Sequence, residues 1–215
     1  MDKTKIKLVV FDVDETLTNV NSWQYITREF GVDPKENLAV YQDFAAARIS
    51  KANAIKQVMA LWNRHKHRTK EEFEKVFSSI ETKKDAVEVV KYVKSKYDTI
   101  IISGALSILV KQIAEKVNIK EWYSLSKLTF KSGKITTFSY PDNESDAKYE
   151  IFVKIAKKRK IEAADAVMIG DGNSDYKMFE KLGMSILIES NEDQSKLEQL
   201  AAYKVKSLSE IKNIL

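Results

Sequence analysis

The segment Ile6–Thr18, IKLVVFDVDETLT, constrains this chain more than any other part of its sequence. Its apolar, β-branched first half is typical of a strand that is buried on both faces of a parallel sheet. Asp12 and Asp14 follow at once, and ionised carboxylates beside a hydrophobic core need hydrogen bonds, opposite charges or a metal ion. Because open α/β proteins bind ligands at the carboxyl ends of their strands, the segment predicts a functional site.

Two later apolar stretches end in polar groups in the same way. Ser103 follows the stretch TIII, and Asp171 and Asp175 follow the stretch AVMI. The carboxyl ends of parallel strands meet at one edge of a sheet, so these side chains are predicted to face Asp12. Lys148, near the start of a charged helix, is predicted to lean over the same edge.

A change of pattern after the first strand predicts the domain organisation. Over residues 19–81 the apolar residues recur at helical spacing, and no convincing strand is present. Strands and helices then alternate to the end of the chain, with a hairpin at Lys127–Ser139. The sequence therefore predicts an α/β fold: a Rossmann-like parallel sheet core at 1–18 and 82–215, with a small all-helical cap domain at 19–81 inserted after the first strand.

The composition limits the class of protein and its partners. The 215 residues are 44% hydrophobic, enough for a sizeable core, and the lack of cysteine excludes disulfides and thiolate metal sites. The net charge of +5 is spread along the chain, so no nucleic-acid partner is expected. No apolar stretch approaches the ~20 residues of a membrane span. We expect a cytoplasmic monomer or homodimer with no membrane partner.

The residue types at the predicted sheet edge suit phosphoryl transfer. Grouped carboxylates bind hard cations such as Mg²⁺, one carboxylate can attack phosphorus, and a second can serve as general acid and then general base. A hydroxyl, a glycine N–H and a lysine can hold the phosphoryl oxygens. Each motif alone also fits a turn, a helix cap or a surface residue. Their joint occurrence at strand ends favours a reaction centre.

Four short motifs, in this order, resemble those of the haloacid dehalogenase superfamily. They are DVDET at Asp12–Thr16, ISGA at Ile102–Ala105, AKYEI at Ala147–Ile151 and GDGNSD at Gly170–Asp175. The helical insertion after the first motif is similar to the C1 cap of subfamily I. Within the superfamily the chain is most similar to the phosphoserine phosphatase-like branch, which implies a Mg²⁺-dependent phosphatase.

The resemblance implies a role for each residue of the first motif. Asp12 would be the nucleophile that becomes phosphorylated, and also a Mg²⁺ ligand. Asp14 would be the general acid and base, and its backbone carbonyl would contact the metal ion. Thr16 would support the loop that carries both acids.

The later motifs would complete the same centre. Ser103 and the backbone N–H of Gly104 would bind the phosphoryl group, and Lys148 would neutralise charge between that group and the nucleophile. Asp171 would bind Mg²⁺, while Asp175 would be a further ligand or orient one.

Two departures from that branch concern the substrate. The resemblance implies an acid shortly after the first motif for the ammonium of phosphoserine, and a cap arginine for its carboxylate. Asn21 stands about where the acid is expected, and Gln57–Met59 lies near the expected arginine. An ammonium without its partner loses a few kcal/mol, so phosphoserine is not the expected preferred substrate. Asn21, Trp23, Gln24 and Tyr25 suggest a neutral leaving group that is hydrogen-bonded or stacked.

The expected activity is hydrolysis of a small phosphorylated metabolite through an aspartyl-phosphate, and other activities stay open. They are phosphoserine phosphatase activity, transfer of the phosphoryl group to an acceptor alcohol, and a non-catalytic binding or regulatory role on the same fold. The fourth motif also departs from the branch pattern GDGxND, because Ser174 stands at the asparagine position and Asn173 precedes it. Neither residue is assigned a role.

Overall fold

The strands of this computed structural model, which describes residues 5–191 and 193–215, form one sheet. They are β1 (Leu8–Phe11), β2 (Asp98–Leu106), β3 (Trp122–Lys131), β4 (Lys134–Ser139), β5 (Ala166–Gly170), β6 (Met184–Ile188) and β7 (Tyr203–Val205). The strand order is β4-β3-β2-β1-β5-β6-β7. Neighbours are parallel except β3 and β4, which pair antiparallel. The predicted α/β fold with a Rossmann-like parallel sheet is confirmed.

Helices fill the connections between the strands. They are α1 (Ser22–Glu29), α2 (Pro34–Ala45), α3 (Lys51–Trp62), α4 (Lys70–Ser78), α5 (Ala86–Lys94), α6 (Ser107–Lys116), α7 (Glu144–Arg159), α8 (Tyr176–Lys181), α9 (Ser195–Glu198) and α10 (Ile211–Ile214). The first four follow one another between β1 and β2, as the helical spacing predicts. The division into a core and a cap domain at residues 19–81 stays a prediction. Within the described ranges, no helix has the length and apolar character needed to cross a membrane.

The central strand β1 is covered on both faces. Val9 and Phe11 pack into one hydrophobic cluster, whereas Leu8 and Val10 pack into another on the opposite side of the sheet. All four side chains are fully buried. Double burial explains why this strand is a continuous apolar run instead of an alternating one, and it leaves only the strand's carboxyl end open to a ligand.

The second and third strands are longer than the sequence predicts. The expected strand Thr99–Ile102 extends to Leu106, so Ser103 and Gly104 lie inside β2, where its register with β3 shifts. The expected hairpin is the far end of β3, which first pairs parallel with β2 and then antiparallel with β4. Polar side chains along β3 hide this continuity, since the strand is only partly buried.

Two helices near the end of the chain are short. Helix α9 is a single turn, and α8 begins at Tyr176. A short 3₁₀ turn at Asn173–Asp175 precedes α8. From this turn the Asp175 side chain accepts hydrogen bonds from the backbone N–H groups of Asp171 and Gly172, just after β5.

An aromatic cluster joins the helices after β1 to the hairpin. Trp62 is fully buried, its indole N–H donates to Thr27 Oγ1 at 3.0 Å, and its ring stacks on Trp23 with centroids 5.7 Å apart. Phe138 of β4 lies 5.3 Å from Trp23 and 5.4 Å from Trp62. Because such pairs are apolar and tightly packed, the cluster fixes α1 and α3 over the edge of the sheet where β1 ends.

Candidate active site

The first and fourth motifs are tied together by hydrogen bonds beyond the ends of β1 and β5. The backbone N–H of Asp12 donates to the carbonyl of Ile169 at 3.0 Å, which continues the ladder between the two strands. The Thr16 hydroxyl donates to Asp171 Oδ1 at 2.8 Å, and both residues are buried. Thr16 therefore holds the first loop against the fourth motif, in agreement with its expected supporting position.

Lys148 is the cation at the centre of this edge. It has no solvent exposure, and its Nζ lies 2.9 Å from Asp12 Oδ2 and 2.7 Å from Asp175 Oδ1. Nζ also donates to the Ser174 hydroxyl at 2.8 Å. Burial alone would lower the pKa of Lys148, but the charges of Asp12 and Asp175 raise it above its ordinary value. The lysine is therefore a fixed ammonium beside the predicted nucleophile.

Three carboxylates form a group that fits a divalent cation. Oxygens of Asp12, Asp171 and Asp175 all lie within 4.8 Å of one another, and all three residues are buried. Burial raises the pKa of Asp171 well above its ordinary value, and the charges of Asp12 and Asp175 add to the rise. Within the described chain, Asp12 Oδ1 is buried without a hydrogen-bond partner. A hard cation would satisfy these oxygens, and Mg²⁺ prefers such ligands.

Asp175 has contacts that orient its neighbours. Its Oδ1 meets Lys148, and its Oδ2 accepts from the backbone N–H groups of Asp171 at 3.2 Å and Gly172 at 3.4 Å. Burial raises the pKa of Asp175 to about 7. Asp175 therefore both belongs to the group of three carboxylates and holds the lysine and the backbone of the fourth motif in place.

The Asp14 side chain contacts Ser22 at the start of α1 and not the other carboxylates. Its Oδ2 accepts two hydrogen bonds from Ser22, one from the backbone N–H at 2.9 Å and one from the hydroxyl at 2.7 Å. Among the described residues its Oδ1 is buried without a partner. Burial raises the pKa of Asp14 to about 7, although the bonds from Ser22 oppose the rise. A carboxyl that exchanges its proton near neutral pH suits general acid and base work.

The second motif leaves space that a side chain would fill. A Cβ at Gly104 would lie 1.5 Å from Glu144 Oε1, so glycine lets the carboxyl of Glu144 lie directly against the strand. Ser103 is buried, and its hydroxyl accepts the backbone N–H of Ala105 at 3.2 Å. Ser103 and Gly104 both line the cavity described next.

A cavity opens between the sheet edge and the helices after β1. Asp12, Asp14 and Asp171 line its floor, and the cavity volume is about 220 Å³. Its walls are largely aromatic or aliphatic, and they include Trp23, Leu38, Val40, Tyr41, Phe44, Ile55, Val58, Phe138 and Tyr140. The cavity therefore joins a polar, acidic floor to an apolar wall.

The cap residues predicted from the sequence are only partly placed at this cavity. Asn21, Trp23 and Gln24 line it, and the Asn21 side chain caps α1 by accepting the Gln24 N–H at 3.2 Å. Tyr25 does not line it, because its hydroxyl meets Ser79 Oγ at 3.0 Å on the protein surface. The expectation that Tyr25 contacts a leaving group is therefore wrong. Helical geometry turns it away from Trp23, since residues two apart face different sides.

Two residues of the cavity were missed by the sequence analysis. Glu144 and Tyr140 both line it, and the Tyr140 hydroxyl donates to Glu144 Oε2 at 2.6 Å. Burial raises the pKa of Glu144, whereas Lys148 and Tyr140 lower it in part. One signal was available: Glu144 precedes Lys148 by four residues, so both lie on one face of α7.

The fourth-motif residues without an assigned role also differ from each other. Ser174 accepts a hydrogen bond from Lys148, whereas the Asn173 amide donates to the backbone carbonyl of Asp193 at 3.4 Å. Both line the cavity. Ser174 is thus the residue that helps to position the lysine.

Comparisons with known proteins agree with this geometry. The family model for haloacid dehalogenase-like hydrolases matches residues 9–180. A phosphoserine phosphatase from Methanocaldococcus jannaschii is 32% identical over 188 residues, which cover 86% of either chain.

Solved structures are similar over almost the whole chain. A phospho-aspartyl intermediate analogue of phosphoserine phosphatase has a TM-score of 0.80 at 29% identity, and the match covers 98% of this chain and 99% of that one. A substrate-bound phosphoserine phosphatase complex has a TM-score of 0.79 at 28% identity, with 98% of both chains covered.

Proposed function

Because this chain belongs to the haloacid dehalogenase-like hydrolases and is a phosphoric monoester hydrolase, we propose that it hydrolyses a small phosphomonoester through an aspartyl-phosphate on Asp12. The observation that carries the proposal is the setting of the Asp12 carboxylate. One oxygen contacts Lys148 at 2.9 Å, and the other is buried without a hydrogen-bond partner in the described residues. A carboxylate so placed is fixed in position and still has an oxygen for a metal ion or phosphorus.

In the first half of the reaction, an Asp12 oxygen forms a bond to phosphorus as the bond from phosphorus to the ester oxygen breaks. Asp14 gives its proton to the departing alkoxide, which leaves as the alcohol. Lys148, the Ser103 hydroxyl and the Gly104 N–H stabilise the charge that spreads over the phosphoryl oxygens.

In the second half, the ionised Asp14 takes a proton from a water molecule as the water oxygen bonds to phosphorus. The bond between phosphorus and Asp12 breaks, which releases inorganic phosphate and restores both carboxyl groups to their starting states. A pKa of about 7 for Asp14 suits this alternation, since each form is accessible near neutral pH.

Mg²⁺ would be held by Asp12, Asp171 and the Asp14 backbone carbonyl, with Asp175 orienting the loop, and it would neutralise negative charge on the phosphoryl group. The group of three buried carboxylates supports this choice of cofactor. The side chain of Asp14 does not belong to that group, which is consistent with an acid–base role for it.

We also propose that phosphoserine is not the preferred substrate. Asn21, an amide at the position where an acid is expected, already caps α1, and Val58 faces the cavity near the expected arginine. Neither residue offers the opposite charge that the amino or carboxylate group of serine needs. The relatives named as phosphoserine phosphatases keep the opposite alternative open, as does transfer of the phosphoryl group to an acceptor alcohol in place of water.

The test begins with phosphate release from p-nitrophenyl phosphate in the presence of Mg²⁺, with EDTA as the control. Hydrolysis that EDTA abolishes and Mg²⁺ restores is the expected result, and no hydrolysis of any ester would favour a binding or regulatory protein. A panel of phosphorylated metabolites then ranks phosphoserine. If phosphoserine matched the best substrate, the proposed preference would be wrong, and alcohol-dependent loss of phosphate release would point to a transferase.

A further inference from the structure

Two acids of the cavity are not used by the proposed reaction. The acids that line the cavity are Asp12, Asp14, Glu15, Glu144 and Asp171, and Lys51 is the one lysine or arginine among the described lining residues. Three of the acids belong to the chemistry. The Glu15 carboxyl is near Asn191, whose amide donates to it at 3.5 Å. Glu144 remains, and its place in the fold calls for an explanation.

The Glu144 carboxyl is held at the point where the phosphoryl site meets the apolar wall. Its Oε2 accepts from Tyr140 at 2.6 Å, and its Oε1 lies against Gly104, whose N–H is a proposed phosphoryl ligand. Lys148 does not require Glu144 as a partner, because it already contacts Asp12 and Asp175. The charge of Lys148 acts on Glu144, but among the described residues the Glu144 carboxylate forms no ion pair of its own.

Tyr140, whose hydroxyl contacts Glu144, belongs to a group of aromatic rings that line the same cavity. Tyr140 and Trp23 have ring centroids 5.6 Å apart, and Phe44 lies 6.2 Å from Tyr140. Aromatic faces attract cations, and a carboxylate beside them adds a charged hydrogen bond. A second anion would be repelled there by Glu144 and by the floor of the cavity.

Lys51 does not supply an internal site for a carboxylate. It pairs with Asp142 at 3.2 Å, and both side chains are substantially exposed, at 38% and 84%. The lysine is thus a surface ion pair at the mouth of the cavity, already matched in charge. A substrate with an ammonium but no carboxylate fits this distribution better than phosphoserine does.

We propose that Glu144 selects the leaving group by binding a cationic nitrogen close to the ester oxygen, so that the preferred substrates are monophosphates of small amino alcohols. This inference rests on the proposed phosphatase activity and names its substrate class. A cationic leaving group replaces the neutral one expected from the sequence. That expectation was based on Asn21 and on the residues around Val58, without Glu144.

The experiment compares O-phosphoethanolamine with 2-hydroxyethyl phosphate, in which a hydroxyl replaces the ammonium at almost unchanged size. For the unaltered protein, we expect kcat/KM for the amine to exceed that for the hydroxyl compound at least about tenfold, as befits a charged hydrogen bond. In Glu144→Gln, which keeps the size of the side chain and an acceptor for Tyr140, this ratio should fall to about one. A ratio near one in the unaltered protein, or a ratio that survives the substitution, would overturn the proposal.

A matched control and a binding measurement separate this inference from the activity itself. Glu150→Gln removes the same charge from an exposed position of the same helix, so the ratio should stay as in the unaltered protein. Calorimetry with Asp12→Asn protein should show that Glu144→Gln weakens binding of O-phosphoethanolamine more than that of 2-hydroxyethyl phosphate. If both esters are hydrolysed through Asp12 without preference, Glu144 lacks the selecting role while the phosphatase proposal stands. If neither ester is hydrolysed but the binding difference appears, Glu144 keeps its selecting role and the phosphatase proposal fails.

Discussion

Two walls of the same cavity are held in place by different forces. The catalytic edge, made of Asp12, Ser103, Lys148 and Asp171, is fixed by buried hydrogen bonds and ion pairs between 2.7 and 3.2 Å. The cap wall, made of Trp23, Phe44, Val58, Phe138 and Tyr140, is fixed mainly by packing of rings and aliphatic side chains.

This difference predicts which of the two walls tolerates substitutions and which does not. A network of buried hydrogen bonds and ion pairs loses its geometry when one member changes, because the remaining charges are left buried without partners. An apolar wall accepts replacements of similar volume at small cost. The proposed reaction thus depends on the catalytic edge, whereas we expect substrate preference to depend on the cap wall and on Glu144, which line the same cavity.

The largest expected effect comes from the nucleophile. Asp12→Asn keeps the size of the side chain but removes the attacking carboxylate, so kcat should fall by at least about 10⁴-fold. Phosphate release from p-nitrophenyl phosphate measures the loss, and circular dichroism checks that the fold is kept. Asp43→Asn, at a residue whose side chain is 43% exposed and pairs with Arg48, serves as the control. Substantial turnover by the Asp12 variant would show that another group attacks phosphorus.

The next prediction concerns the ion pairs of Lys148, which are tested through the free energy of unfolding instead of through turnover. Lys148→Met leaves Asp12 and Asp175 buried without their shared cation, and breaking such a pair typically costs about 3–5 kcal/mol in the free energy of unfolding. Urea unfolding at neutral pH measures it. The control is Lys154→Met on the exposed side of the same helix, where a change within about 0.5 kcal/mol is expected. Equal stability of the two variants would mean that the catalytic edge is not held by its charges.

The catalytic edge was largely predictable from sequence, for a physical reason. Apart from Lys148, which lies on α7, its residues lie at the ends of short apolar strands, and parallel strands bring their carboxyl ends together. Asp12, Ser103, Lys148 and Asp171 accordingly meet, although the structure puts Ser103 inside β2 and not after it. Residue roles stay predictions, because geometry alone does not show a reaction.

The cap wall was predictable only in its secondary structure. Helical spacing gives the existence of α1 to α4, but which side chain reaches the cavity depends on how those helices pack against the sheet. Asn21 and Trp23 reach it, Tyr25 does not, and Glu144 enters from the core side. Long-range packing of this kind, between α1 and a hairpin about a hundred residues away, leaves no local signal in the sequence.

A third substitution tests the junction of the two walls. Gly104→Ala places a Cβ on Glu144 Oε1, and the flexible end of the glutamate must move away from the strand. The preference for O-phosphoethanolamine over 2-hydroxyethyl phosphate should therefore fall about tenfold. In a Glu144→Ala background the same glycine substitution should leave the ratio unchanged, since the clash is gone. Equal effects in both backgrounds would show that Gly104 acts independently of Glu144.

A smaller effect is expected at Ser22 of α1, which donates hydrogen bonds to Asp14. Ser22→Ala removes the hydroxyl donor to Asp14 but keeps the backbone N–H donor, so kcat should fall about fivefold, in line with about 1 kcal/mol for one hydrogen bond. Ser22→Thr keeps a hydroxyl and should restore most of the rate. Ser78→Ala, at an exposed hydroxyl far from the motif, is the control. Unchanged kcat in Ser22→Ala would mean that the N–H alone orients Asp14.

The smallest expected effect is the pH dependence of the amine preference. Burial raises the pKa of Glu144 above its ordinary 4.5, so part of this carboxyl is still protonated at pH values where an exposed glutamate is fully ionised. As the pH rises, the carboxylate fraction grows while the substrate amine keeps its proton, and the preference for O-phosphoethanolamine should increase to a plateau. Ionisation of Asp14 is common to both esters and cancels in the ratio, whereas ionisation of the two phosphates is the same in every variant and is removed by comparing variants.

Comparison with Glu144→Gln assigns this pH dependence to one side chain. The ratio of the two kcat/KM values should lose the rise due to Glu144 in that variant, since the amide does not titrate. The same rise in both proteins would show that a group other than Glu144 causes it. A rise confined to the unaltered protein would show that a charge on the core side of the cavity, and not the apolar cap wall, sets the preference between these two esters.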